Sequence, residues 1–267
     1  MEIVAEIGWN FMGNLALAKK MIKDARKSGA NTVKFQFWKT STLKEGPWNK
    51  DGRIEIYKKA ELNEKKILKL INYCNSIKIN FLISCFSLND LRYLKSLGIS
   101  AIKIPSHEIY NVEMHKFASK NFDKIYVSLG AGTKKEILKT IGIYNKNNCN
   151  WVGMHCVSAY PCPLEKFNLP KLKFLKKYVS KLGISDHTLS TITPSLSVPF
   201  GVEVVEKHFT SDKNLPGRDN KFALNKFEFK EMVKFIREAQ KININNGIEA
   251  LEIENDTIKL YRGRWDN

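Results

Sequence analysis

The residues able to do chemistry fall at the ends of short apolar runs, and many lie two positions apart. Lys34 and Gln36 sit in TVKFQFW (32–38), Glu206 and His208 in VVEKHF (204–209), and Ser185 and His187 at the end of KLGISD (181–186) and just beyond it. Other runs carry Glu6 (3–8), Ser84 (81–86), Lys103 followed by Ser106 and Glu108 (101–106), Ser128 (124–130), and His155 followed by Ser158 and Tyr160 (151–157). Side chains alternate along an extended chain, so a spacing of two points both members of a pair to one side. Two lysines among several serines would bind a phosphate and a carboxylate. Two histidines on adjacent strands can hold one divalent ion. The competing roles are structural: an ion pair of Lys34 or Lys103 with Glu6 or Glu108, and a satisfied core position for each histidine. The matching height of His187 and His208 favours the metal. His155 reads as either core or mouth, and His115, on a helical segment, as a surface residue.

The elements that must position these residues follow from periodicity. Eight apolar strand-like runs alternate with segments of helical period, and a long helix, KFEFKEMVKFIREAQKI, follows the last. This βα order is the signature of a parallel barrel, a single (β/α)8 TIM barrel over residues 1–243 with a short polar tail over 244–267. No G-x-G-x-x-G follows the first strand, which argues against an open doubly wound sheet. In a parallel barrel the strands are buried on both faces, and the side that tolerates polar groups is the mouth at their C-terminal ends. Gly29 and Gly98 sit where helices should stop, and Asn111 and Thr133 where they should be capped. The stretch from Thr40 to Leu62, with Gly46, Pro47 and Gly52, reads as a loop over the mouth.

Composition narrows the classes. The chain has 267 residues, 43% hydrophobic, enough for one large core. No apolar run approaches the ~20 residues of a membrane span, and the acidic N-terminal strand is unlike a signal peptide, so a cytoplasmic protein without a membrane partner is expected. The five cysteines have no C-x-x-C spacing and are expected as reduced, mostly buried thiols. The formal charge of +17 comes from lysines scattered along helical segments. That pattern is a solvated outer face rather than a nucleic-acid site, and its field would draw in anionic substrates.

The residues also carry a resemblance. EIGWN-x-x-G, VKFQ, IKIPSHE, SLG, HCVSAYPCP, GISDHT, EKHFT and LPGRD, in this order from about residue 2 to residue 240, resemble the sialic acid synthase (N-acetylneuraminate synthase) family. The resemblance implies a transferase that condenses phosphoenolpyruvate with an N-acetylmannosamine-like amino sugar. The products are a 2-keto-3-deoxy sugar acid and phosphate. It implies His187 and His208 as ligands of a divalent metal, Mn2+ or else Mg2+ or Co2+. Lys34, Ser84, Lys103, Ser106, Ser128, Ser158 and Ser185 match positions that bind phosphoenolpyruvate. Glu6, Gln36, Glu108, Tyr160 and Asp219 match positions near the acceptor sugar or its aldehyde, with Asn63 and Glu206 in support. Glu108 is the expected aid to water attack, and Lys34, Lys103 and Glu6 complete the expected catalytic set.

Three features depart from the family pattern. Asn10-Phe11-Met12-Gly13 stands where the family has N-H-N-G or N-H-E-G, with Trp9 and Trp38 adding aromatic bulk. Pro216-Gly217-Arg218-Asp219 replaces PGPD, and His107 replaces a common Gly. The antifreeze-like domain that supplies a partner arginine in a family dimer is not part of the sequence. The expectations are therefore a changed acceptor, with Arg218, Arg262 or Arg264 as substitute contacts, in a homodimer or beside a separate antifreeze-like partner. The alternatives are an anion-binding barrel inactive without that partner, and a related condensing enzyme for a sugar phosphate.

Overall fold

The computed structural model describes residues 1–265. Eight parallel strands close on one another in chain order: β1 Glu2–Gly8, β2 Thr32–Phe37, β3 Asn80–Cys85, β4 Ala101–Ile104, β5 Lys124–Ser128, β6 Trp151–Cys156, β7 Leu182–Asp186 and β8 Val202–His208. The ring is sealed where Glu6 of β1 stands beside His208 of β8. The helices are α1 Leu15–Lys27, α2 Arg53–Ala60, α3 Glu64–Ser76, α4 Leu88–Ser96, α5 Val112–Asn121, α6 Lys134–Lys146, α7 Lys171–Leu175, α8 Lys226–Ile242 and α9 Asn255–Leu260. The expected TIM barrel is present.

Local chemistry explains the boundaries. Asn111 and Thr133 accept hydrogen bonds from the backbone amides of Met114 and Glu136, capping α5 and α6. Gly29 and Gly98 follow α1 and α4 with φ of 98° and 79°, the left-handed region in which glycine carries no Cβ penalty. Two expected helices are shorter. PKLKFLKKYVS forms only the five residues of α7; beyond it Lys177 and Tyr178 tighten into turns, bonding the carbonyls of Phe174 and Leu175 three residues back. TITPSLSVPFG forms a 3-10 segment, Ser195–Phe200, with Pro199 inside it, where a missing N–H and ring clash bar a regular α-helix. The stretch over the mouth, expected as a loop, contains α2.

The barrel interior is layered. Val4, Leu82, Tyr126, Val152, Met154 and Val204 form an apolar plug at the N-terminal end. Two residues beyond Val4 and Val204 the inward positions of β1 and β8 become Glu6 and Glu206, and Lys34 of β2 stands beside Glu6. Alternation thus carries the interior from apolar to charged in one step and places the polar groups at the C-terminal mouth. The larger core lies between strands and helices. All five cysteines are free, and four are buried. After α8 the chain to residue 265 is almost wholly exposed. Among the described residues no helix is long and apolar enough to cross a membrane.

Candidate active site

The mouth opens into a cavity of about 720 Å3. At its floor lie four buried charges. Lys103 Nζ is 3.0 Å from Glu206 Oε2, and Lys34 Nζ is 2.9 Å from Glu6 Oε1 and 3.6 Å from Glu206 Oε1. Ser185 Oγ donates to Glu206 Oε1 at 2.7 Å, and Gln36 Nε2 donates to Glu6 at 2.6 Å. Burial alone would raise the Glu206 carboxyl, but the Lys103 and Lys34 ammoniums outweigh it and hold Glu206 well below the usual carboxylate range. Glu6 goes the other way. Burial, reinforced by the Glu206 charge, raises it despite Lys34, and among the described residues its Oε2 has no hydrogen-bond partner. Lys34 is held protonated, because Glu206 and Glu6 outweigh its burial, whereas burial lowers Lys103. Of the expected structural pairs, Lys34 with Glu6 forms, and among the described residues no lysine pairs with Glu108. Glu108 instead accepts from Asn111 Nδ2 at 3.0 Å, and burial raises its carboxyl.

Above this floor stand the two histidines. Their ring centroids are 5.6 Å apart. His187 Nδ1 donates to the Val157 carbonyl at 2.7 Å, which leaves Nε2 as the ring's lone pair. Burial pushes His187 down to about 4 and His208 well below its ordinary value, so both rings are neutral. Among the described residues buried His208 Nδ1 has no hydrogen-bond partner, and Asp219 Oδ2 lies 3.8 Å away. Two neutral imidazoles with an unsatisfied nitrogen fit a divalent cation. Among the described residues no group of three or more His, Cys, Asp or Glu side chains is gathered to hold a metal.

The structure brings most predicted site residues together. Glu6, Lys34, Gln36, Ser84, Lys103, Ser106, Glu108, Ser128, Tyr160, Ser185, His187, Glu206, His208 and Asp219 all line the cavity. Ser158 does not, but its Oγ is 2.6 Å from Ser106 Oγ. Asn63 is elsewhere: it is exposed, and its side chain accepts from Lys66 N as the N-cap of α3. His115 is fully buried rather than on the surface, its Nδ1 2.9 Å from Tyr144 Oη and its Nε2 donating to the Glu108 carbonyl. His155 is core, its Nε2 donating to the Phe167 carbonyl at 2.7 Å.

Trp9, Trp38, His107 and Arg218, departures noted in the sequence, line the cavity too, beside Tyr57, Phe86, Lys39, Lys44 and Arg53, which the sequence did not single out. Trp9 stacks on Tyr57 at 4.8 Å between ring centroids, and Trp38 meets both edge-on. Trp9 Nε1 donates to Asp219 Oδ2 at 2.6 Å, and burial raises that carboxyl to about 6. His107 stacks on Phe86 at 5.2 Å. Lys39, Lys44, Arg53 and Arg218 stand round the outer cavity, whereas Arg262 and Arg264 lie on the exposed tail and do not line it. Asp186 and Lys207, the neighbours of the two histidines, form an ion pair outside the cavity. SDHT and EKHF signalled that pair, because residues between inward-facing ones must face outward.

Comparison with known proteins gives one answer. The model of the NeuB family matches residues 21–247. An N,N'-diacetyllegionaminic acid synthase from Campylobacter jejuni is 35% identical over 276 residues, covering 97% of this chain and 82% of that protein. A pseudaminic acid synthase of the same species is 32% identical over 251 residues, covering 89% and 73%. The crystal structure of an N-acetylneuraminic acid (sialic acid) synthetase from Leptospira borgpetersenii, in complex with citrate, superposes with a TM-score of 0.87 at 30% identity. It covers 98% of this chain and 91% of that one. The chain belongs to the NeuB family.

Proposed function

We propose that this chain condenses phosphoenolpyruvate with the aldehyde of an amino sugar, giving a 2-keto-3-deoxy sugar acid and phosphate. The observation that carries the reading is the buried Lys34–Glu206–Lys103 cluster, ringed by serine hydroxyls and capped by two neutral histidines in one cavity. The sugar-acid synthases among its relatives support the choice of reaction.

The residues divide the work. Lys34 and Lys103, with Ser84, Ser106, Ser128, Ser158 and Ser185, bind the phosphate and carboxylate of phosphoenolpyruvate and orient its carbon 3 toward the aldehyde carbon. His187 and His208 would hold a divalent metal, manganese being the first candidate, which when bound supplies Lewis-acid polarisation of the aldehyde oxygen. Carbon 3 forms the new carbon–carbon bond with its double-bond electrons as the aldehyde carbonyl opens to an alkoxide; the cation left at carbon 2 takes up water, and the proton that this water releases replaces the one the alkoxide takes up. Glu108, raised by burial, accepts the proton that this water loses. Phosphate then leaves with cleavage of its bond to carbon 2, and the keto group forms. Gln36, Tyr160 and Asp219 face the acceptor.

The departures concentrate at the acceptor end. Trp9, Tyr57, Trp38 and the Phe86–His107 stack present flat apolar faces on one side of the cavity. Such faces suit sugar C–H groups and N-acyl methyls, so a diacylamino deoxy-sugar is the preferred acceptor. A second reading, an acceptor with a distal phosphate, draws on Lys44, Arg53 and Arg218 at the outer cavity. The test is phosphate release from phosphoenolpyruvate with Mn2+ and a panel of aldoses: N-acetylmannosamine, its 6-phosphate and a 2,4-diacetamido-trideoxyhexose. Fastest release with the last is expected. No release with any of the three would overturn the proposal.

A further inference from the structure

Asp186 and Lys207 directly precede the turn and strand end that carry His187 and His208. The two are register partners across β7 and β8. Strand alternation turns them away from the cavity, into the layer between barrel and helices. There Lys207 Nζ meets Asp186 Oδ2 at 2.8 Å, with side-chain exposures of 1% and 0%. Both also grip the residue just beyond His187. Thr188 N donates to Asp186 Oδ1 at 2.7 Å, and Lys207 Nζ donates to the Thr188 carbonyl at 2.6 Å and to Thr188 Oγ1 at 3.2 Å. The His187 carbonyl accepts from Cys162 N at 2.9 Å. His187 therefore sits in a chain pinned before it, at it and after it, and the pin after it is anchored on the residue adjacent to His208.

Two buried charges carry a desolvation penalty that an apolar pair would avoid, so bulk stability is a poor reason for them. Their directional bonds do what apolar packing cannot, which is to fix the β7 turn against the end of β8. We propose that Asp186 and Lys207 are positioning residues that set the separation and aim of His187 and His208, and so the affinity of the divalent metal site. This rests on the metal reading of those histidines. Neither residue lines the cavity, so neither is a catalytic residue.

The test is Mn2+ binding by the purified chain, read as loss of the free-ion EPR signal, with folding checked by circular dichroism at the same temperature. Lys207→Met should weaken binding by about 10–100-fold in the folded protein, the scale of losing an outer support of a metal ligand. Lys207→Arg, which keeps the charge and a donor, should retain most of the affinity. Asp186→Asn preserves shape and Thr188's acceptor, so it decides the matter if Lys207→Met does not fold; a clear weakening is expected. Folded variants that bind Mn2+ as the parent does, while only melting earlier, would overturn the positioning role. A parent chain that binds no Mn2+ would overturn the metal reading and this proposal together.

Discussion

Replacing Glu206 by Gln isolates the charge on which the cavity floor depends. The amide keeps the shape and can still accept from Ser185 Oγ, now 2.7 Å from Glu206 Oε1. What disappears is the carboxylate 3.0 Å from Lys103 and 3.6 Å from Lys34. Lys34 keeps Glu6 at 2.9 Å, but among the described residues Lys103 has no second carboxylate within salt-bridge distance. Removing one partner of a buried ion pair costs about 3–5 kcal/mol. The lower end is expected, because burial already lowers Lys103 and lets it shed its proton. At roughly 2–4 °C per kcal/mol for a chain of this size, about 3 kcal/mol lowers Tm by roughly 6–12 °C. Thermal unfolding followed by circular dichroism at pH 7 measures it. A lysine with a depressed folded pKa adds stability at high pH that is lost as pH falls, so the deficit should shrink as pH rises. Adding Lys103→Met to the variant should recover most of the loss, since the orphaned charge goes with it. A Tm within a degree of the parent, or a double variant no better than the single, would refute the assignment of Lys103 and Glu206 as one buried unit.

Three further outcomes follow from the same geometry. His115, His155 and His187 are each pushed down to about 4 by burial, and burial also lowers His208 well below its ordinary value. Their stabilisation is present above the unfolded value near 6.5 and is lost as pH falls through about 4, on the order of 3 kcal/mol per imidazole. Urea unfolding at pH 7 and pH 5 should show the drop, and equal stabilities would contradict it. Gly13 adopts φ of 76°, and an added Cβ would collide with the Lys59 carbonyl at the end of α2. Gly13→Ala should cost about 2–4 kcal/mol in chemical denaturation, and a neutral effect would show that α2 does not seat there. Glu6, raised by burial beside Glu206, should take up a proton when anionic phosphoenolpyruvate enters. Calorimetric binding enthalpies at neutral pH should then depend on the buffer's ionisation enthalpy, and should cease to do so in Glu6→Gln.

Much of the fold was legible because eight strand-like runs each ended in a polar residue, and burial on both faces leaves such residues one place to go. The same rule located Lys34, Ser185, His187, Glu206 and His208 before any coordinates. Long-range pairing was not legible. Lys103 and Glu206 meet across the closed barrel from β4 and β8, and no local pattern encodes that closure. The aromatic wall was legible only in part: Trp9 and Trp38 stood out as bulk, but Tyr57 reaches Trp9 only because α2 folds back over the mouth. Asn63 was misassigned although its signal was present: an Asn directly before a helical run is a cap. His115 was read as exposed because it lies on a helical segment, but its two ring nitrogens are both satisfied by buried partners.

The central claim is that this cavity joins carbon 3 of phosphoenolpyruvate to a sugar aldehyde. The most direct measurement is 13C NMR of [2,3-13C2]phosphoenolpyruvate incubated with the chain, Mn2+ and a 2,4-diacetamido-trideoxyhexose. A new carbon 2 resonance of a ketose hemiketal is expected, its carbon 3 now a methylene bonded to the acceptor carbon, with inorganic phosphate appearing in equal amount. Phosphate accompanied only by labelled pyruvate, or phosphoenolpyruvate left intact by a folded chain, would contradict the account.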